Sequence, residues 1–140
     1  MTSSTQTDLQ RMPNADNTIG VIGGGQLALM LGEAAQTRGL TLAVQASKAE
    51  DPAASLAKDL VIAGSTDVRA TRELSSHCVG ITFENEWVAV DALMPLERQG
   101  VQFTPSLASL VPLVNKLSQR RLLNDLLIPS PDWISLAELN

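Results

Sequence analysis

Tyrosine is absent from this sequence, and aromatic residues of any kind make up 3% of its 140 positions. Surfaces on which nucleobases could stack are therefore scarce. Basic residues are also in short supply: ten Lys and Arg stand against fifteen Asp and Glu, for a net charge of −5. A nucleic-acid-binding domain takes most of its affinity from a basic surface, so this balance speaks against one. A single Cys excludes an intrachain disulfide, and one Cys with one His cannot build a zinc site without unusual ligands. No apolar run reaches the roughly 18 residues of a transmembrane helix. Residues 1–17 are polar and contain no apolar stretch of the kind that drives secretion, so a reducing cytoplasm is the expected compartment.

What is present suits one ordinary domain with an aliphatic core: 44% hydrophobic and 18% charged residues. The polar leader, residues 1–17, reads as a flexible tail. Thr18 to Ile22 is β-branched and apolar, a buried strand, and Gly23-Gly24-Gly25 breaks it. From Gln26 the period changes. Leu27, Met30, Leu31, Ala34 and Ala35 recur at helical spacing and are expected to face the core. Further strands are expected at Leu40–Val44, Leu60–Ala63, Val79–Phe83 and Val101–Phe103. Helical segments are expected over Pro52–Lys58, from the capping Asp67 to about Ser76, over Trp87–Gln99 with Pro95 inside it, over Ser106–Leu110 and over Asn115–Leu127. Ile128-Pro129-Ser130-Pro131 is an extended turn, and Trp133–Leu136 starts something strand-like. Strands alternating with helices imply βαβ units. The expected fold is α/β, a Rossmann-like three-layer sandwich with a parallel sheet of about five strands.

Gly23-Gly24-Gly25-Gln26-Leu27-Ala28 fits G-x-G-x-x-A between a strand and a helix, where that fingerprint has meaning. Glycines let backbone N–H groups approach an anion, and the helix N-terminus adds partial positive charge. A phosphate is the simplest ligand; a turn that only permits close strand–helix packing is the plainer alternative. Dinucleotide binding meets an objection. An NAD site expects an acid at the end of the second strand, yet Val44-Gln45-Ala46-Ser47 stands there, and Glu50 and Asp51 come several residues late. Only Lys48 is at hand for the extra phosphate of NADP. No NAD(P) is expected to bind.

The string IGVIGGGQLALML, Ile19 to Leu31, resembles the opening of the ATP-grasp enzymes of purine biosynthesis. The resemblance is strongest to the N5-carboxyaminoimidazole ribonucleotide synthases, the ATPase subunit of phosphoribosylaminoimidazole carboxylase. Asp51-Pro52-Ala53-Ala54, the T-F-E-N run Thr82-Phe83-Glu84-Asn85, and Asn115-Lys116-Leu117 followed by Ile128-Pro129-Ser130-Pro131 agree in order and spacing, so the resemblance spans about residues 18–136. It implies a pre-ATP-grasp domain over 18–112, then a linker helix and the start of an ATP-grasp domain over 113–140. It implies a carboxylating ligase that joins aminoimidazole ribonucleotide, ATP and bicarbonate through a carboxyphosphate-type intermediate, with Mg²⁺ ligands outside these 140 residues. The full-length protein would be a homodimer, and this chain alone inactive.

By the same resemblance Gln26, Leu27, Glu84 and, less directly, Asn85 are ribonucleotide contacts, Gly23, Gly24 and Gly25 a phosphate loop, and Lys116 a contact to ATP. Leu29 and Gln45-Ala46-Ser47 depart from the family pattern. On the residues alone, Glu84 could equally complement the dipole of a following helix, and Lys116 could be a solvated helix charge. His77 reads as an ordinary helix residue and Cys78 as a small core hydrophobe. A non-catalytic nucleotide- or NAD(P)-binding Rossmann module is the alternative function, and an amino domain of another ATP-grasp enzyme is a third, against which the T-F-E-N run argues.

Overall fold

The computed structural model describes residues 17–136. The leader read as a tail lies, apart from Asn17, outside the described residues. Four strands form one parallel sheet: β1 (Thr18–Ile22), β2 (Thr41–Ala46), β3 (Ala57–Ile62) and β4 (Gly80–Phe83), in the order β3-β2-β1-β4. Helix α1 (Gln26–Gln36) joins β1 to β2, and a 3-10 turn, Pro52–Leu56, joins β2 to β3. Helix α2 (Val68–Ser75) carries the chain from β3 to β4. After β4 come α3 (Val90–Arg98), α4 (Leu107–Leu110) and α5 (Lys116–Asp125). The sheet divides the core in two. On one side Val21, Leu42, Val44 and Ala46 meet α1 and the 3-10 turn. On the other, Ile22, Ala43, Val61 and Ile81 meet α2, α3 and α4 through Leu74, Leu93, Leu96 and Leu107.

The α/β class and the parallel sheet agree with the sequence reading; the strand count is one fewer. The expected fifth strand, Val101–Phe103, makes a single bridge, Phe103 to Ile81. Ile81 donates to Gln102 O at 2.8 Å and accepts from Thr104 N at 2.9 Å, and there the ladder stops. Pro105 has no N–H to extend it. Phe103 instead stacks on Phe83, ring centroids 5.8 Å apart.

Helix α1 is turned away from its expected face. Ala28, Gly32 and Ala35 are buried, while Leu27, Met30 and Leu31 are exposed. QLALMLGEAAQ is apolar almost all round, so hydrophobicity could not choose a face. Size chose it: the small residues let the helix come close to the sheet, and a Cβ on Gly32 would lie 3.1 Å from Leu56 Cδ1. Helix α5 ends at Asp125 rather than Leu127, with none of its residues buried. Its leucines therefore do not enter the core of the described residues, and the expected strand near Trp133 does not form. Pro95 sits on the exposed side of α3 and the helix runs through it. Met94, expected inward, is only partly buried, and Leu96 takes the core position.

Candidate functional site

Parallel register builds the site. Ile22 is paired with Phe83 on β4 and with Gln45 on β2, so the next residues, Gly23 and Glu84, leave the sheet side by side at its carboxyl edge. Backbone bonds fix this exit: Glu84 N donates to Ile22 O, and Gly23 N to Gln45 O, each at 2.9 Å. Glu84 then folds back over the glycines. Its Oε2 accepts from the backbone N–H of Gly25 at 2.9 Å. Gly25 is the N-cap of α1, a helix with no acid in its own first turn. Glu84 thus brings from another strand the negative charge that a helix N-terminus favours.

Glycine is required beneath it. A Cβ on Gly23 would lie 2.6 Å from the Glu84 Cβ, and one on Gly25 3.0 Å from the Glu84 carboxyl carbon. Gly23 also holds φ at 109°, a left-handed conformation open to glycine. Gly24 is pressed from the other side, where its Cβ would meet Ala46 and Asp51. Asp51 Oδ2 in turn accepts from Lys48 N at 3.1 Å. The acid that seemed to arrive late after β2 is thus returned to the loop by the turn before Pro52. Counting along the chain hides this; the Asp-Pro start of a short helix was the available signal.

Gln26 opens α1 and is exposed, as is Leu27 beside it. Asn85 is committed locally: its Oδ1 accepts from Trp87 N at 3.0 Å, an Asx turn that leaves the Trp87 ring exposed. Lys116, the first residue of α5, donates to Glu86 at 3.1 Å, on the segment that leaves β4. Glu86's own backbone N–H, and then Lys116, hold its carboxyl below the usual carboxylate range. The structure therefore brings Gly23, Gly24, Gly25 and Glu84 into one cluster with Gln26 and Leu27 at its rim. Lys116 meets the neighbouring segment through Glu86, not the glycines. Gln45, standing where an NAD site carries its acid, is buried; its amide donates to Gly64 O at 2.7 Å and accepts from Thr71 Oγ1 at 2.9 Å. Among the described residues no group of three or more His, Cys, Asp and Glu could hold a metal ion. No helix among them is long and apolar enough to cross a membrane.

A parallel α/β sheet with a glycine loop and a carboxylate at its carboxyl edge defines a Rossmann-like α/β domain. The chain belongs to the family described as the ribonucleotide synthetase pre-ATP-grasp domain, which matches residues 16–112. It is 48% identical over 122 residues to the N5-carboxyaminoimidazole ribonucleotide synthase of Synechocystis sp., covering 87% of this chain and 31% of that protein. The crystal structure of N5-carboxyaminoimidazole ribonucleotide synthetase from Thermotoga maritima superposes with a TM-score of 0.73 at 29% identity, covering 83% of this chain and 32% of that one. The Aspergillus clavatus N5-carboxyaminoimidazole synthase, in complex with ADP and 5-aminoimidazole ribonucleotide, gives 0.71 at 30% identity over 86% of this chain and 32% of that one. The chain thus spans about a third of the length of these relatives.

Proposed function

We propose that this chain is the ribonucleotide-binding amino-terminal part of an ATP-dependent carboxylating ligase of purine biosynthesis. In this reading the whole protein converts aminoimidazole ribonucleotide, ATP and bicarbonate to N5-carboxyaminoimidazole ribonucleotide, ADP and phosphate. The observation that carries it is Glu84 at the carboxyl edge of the sheet, where open α/β folds bind ligands, held by Gly25 N–H through one carboxylate oxygen. Gln26, Leu27 and Asn85 border the same edge and complete the substrate wall, with Gly23, Gly24 and Gly25 as its floor. Residues 18–112 are the pre-ATP-grasp domain and 113–140 lead into an ATP-grasp domain; α5, which buries none of its residues, supports that division. Lys116 exchanges its bond to Glu86 for a phosphate of ATP. A relative from Aspergillus clavatus was solved with ADP and 5-aminoimidazole ribonucleotide, which supports these two ligands for the whole protein. The carboxylates that hold Mg²⁺ belong to the ATP-grasp domain, and the protein works in the cytoplasm as a homodimer.

Kinetics of the full-length enzyme test the reading. Glu84→Ala and Gln26→Ala should lower kcat/KM for the ribonucleotide about 10- to 150-fold, the worth of one charge-assisted hydrogen bond, and affect ATP far less. Lys116→Ala should show the reverse preference. Unchanged ribonucleotide parameters in Glu84→Ala would remove Glu84 from the site and the reading with it.

A further inference from the structure

We infer that Glu86 is a positioning residue that holds the Lys116 ammonium in reserve, so that the phosphates of the nucleotide must draw the lysine away from a carboxylate of the chain itself. This rests on the reading of Lys116 as a contact to ATP and adds the group that sets the strength of that contact. The two residues stand 30 positions apart, one on the segment that leaves β4 and the other at the start of α5, and Lys116 Nζ donates to Glu86 Oε1 at 3.1 Å. The pair is lopsided: the Glu86 side chain is 32% exposed and the Lys116 side chain 74%. Glu86 is anchored on its own account. Its backbone N–H donates to its carboxylate. Its carbonyl accepts from Val88 N at 2.9 Å. The next residue, Trp87, donates through its backbone to Asn85 Oδ1 at 3.0 Å, and its carbonyl accepts from Ser65 Oγ at 2.8 Å, which ties the segment to the loop after β3. Lys116 has no comparable frame among the described residues. Helix α5 buries none of its residues, and a lysine is a point charge on a flexible four-carbon stem. The acid therefore stays and the lysine swings. An ion pair this exposed is weak. A polyphosphate brings several negative charges against the one of Glu86, so the exchange runs toward ATP. Glu86 thereby keeps the ammonium at one place in the free protein and lowers the affinity that a free lysine would give.

Calorimetric titration of the full-length enzyme with the β,γ-methylene analogue of ATP, without ribonucleotide or bicarbonate, tests this. Glu86→Gln keeps the size of the side chain and an oxygen for its backbone bond but removes the charge. It should bind the analogue about two- to fivefold more tightly than the native enzyme at low salt, the worth of an exposed ion pair. The gain should shrink as salt is raised. A residue that only supports the fold would give a loss on substitution, not a gain. In the Lys116→Ala background the same substitution should change nothing, because no ammonium is left to release. Unchanged or weaker binding by Glu86→Gln with Lys116 in place would overturn the inference. A gain that persists without Lys116 would overturn it too, since Glu86 would then act on the nucleotide directly. Lys116→Ala alone separates the two readings. If it weakens binding of the analogue, the ATP contact stands whatever Glu86 does; if it does not, the contact and the inference fall together.

Discussion

Cys78 shows how one side chain's surroundings become a property of the fold. It is buried beside Gly20 and Ile81, its Sγ 3.3 Å from Leu74 O. Loss of water pushes its thiol up to about 11, against backbone hydrogen bonds from Gly20 and Gly80 that lower it. The fold therefore prefers the neutral thiol. Its contribution to stability is complete below the unfolded value near 8.5 and is lost as pH rises through about 11. Urea unfolding should show the native chain losing stability across that interval faster than Cys78→Ala; parallel pH profiles would count against the burial argument. That Cys78 is a small core residue was legible in the sequence. The role of Gln45 was not. Its sequence position says only that an NAD acid is missing, whereas the partners that bury it, Gly64 and Thr71, lie 19 and 26 residues away.

At the scale of elements, local chemistry was legible where a side chain acts on its own neighbours. Asp67 caps α2 as its position announces, its Oδ1 accepting from Arg69 N at 2.9 Å and Ala70 N at 3.1 Å. Asp67→Ala should therefore cost about 1 kcal/mol in thermal or chemical unfolding, with α2 fraying from its N-terminus. Asn115 does the same for α5 through Ser118 N. What the sequence concealed was orientation and pairing. The period of α1 is right and its face wrong, because close approach to the sheet selects Ala28, Gly32 and Ala35 over larger neighbours. The strand at Val101–Phe103 has the composition of a strand but only one bridge's worth of partner. Pro95 stood inside the expected helix as a residue that could kink it or end it early, yet a proline on the exposed side of a helix removes one bond without forcing the core apart.

For the molecule as a whole, the division between core and surface sets where mutations tell. Leu74 is fully buried, whereas Met30 is 59% exposed. Leu74→Ala should destabilise the chain by about 2–5 kcal/mol, and Met30→Gln should stay within about 0.5 kcal/mol. Equal losses in denaturant titration would mean that the apolar face of α1 is covered in solution. The α/β class, the order of the elements through β4 and the edge that carries the glycine loop and Glu84 could all be read before any coordinates. The carboxylate over the glycines could not, since it depends on the register of β4 against β1. That contact has a consequence for how such motifs are deciphered. A glycine fingerprint is half a word; the letter that completes it here stands 59 positions downstream of Gly25, at the end of the strand next door. Where that letter is an acid able to lie back on the loop, the N-cap donor of the fingerprint is already engaged from within the chain. Two positions read together, the loop and the terminus of its neighbouring strand, tell whether that donor is taken.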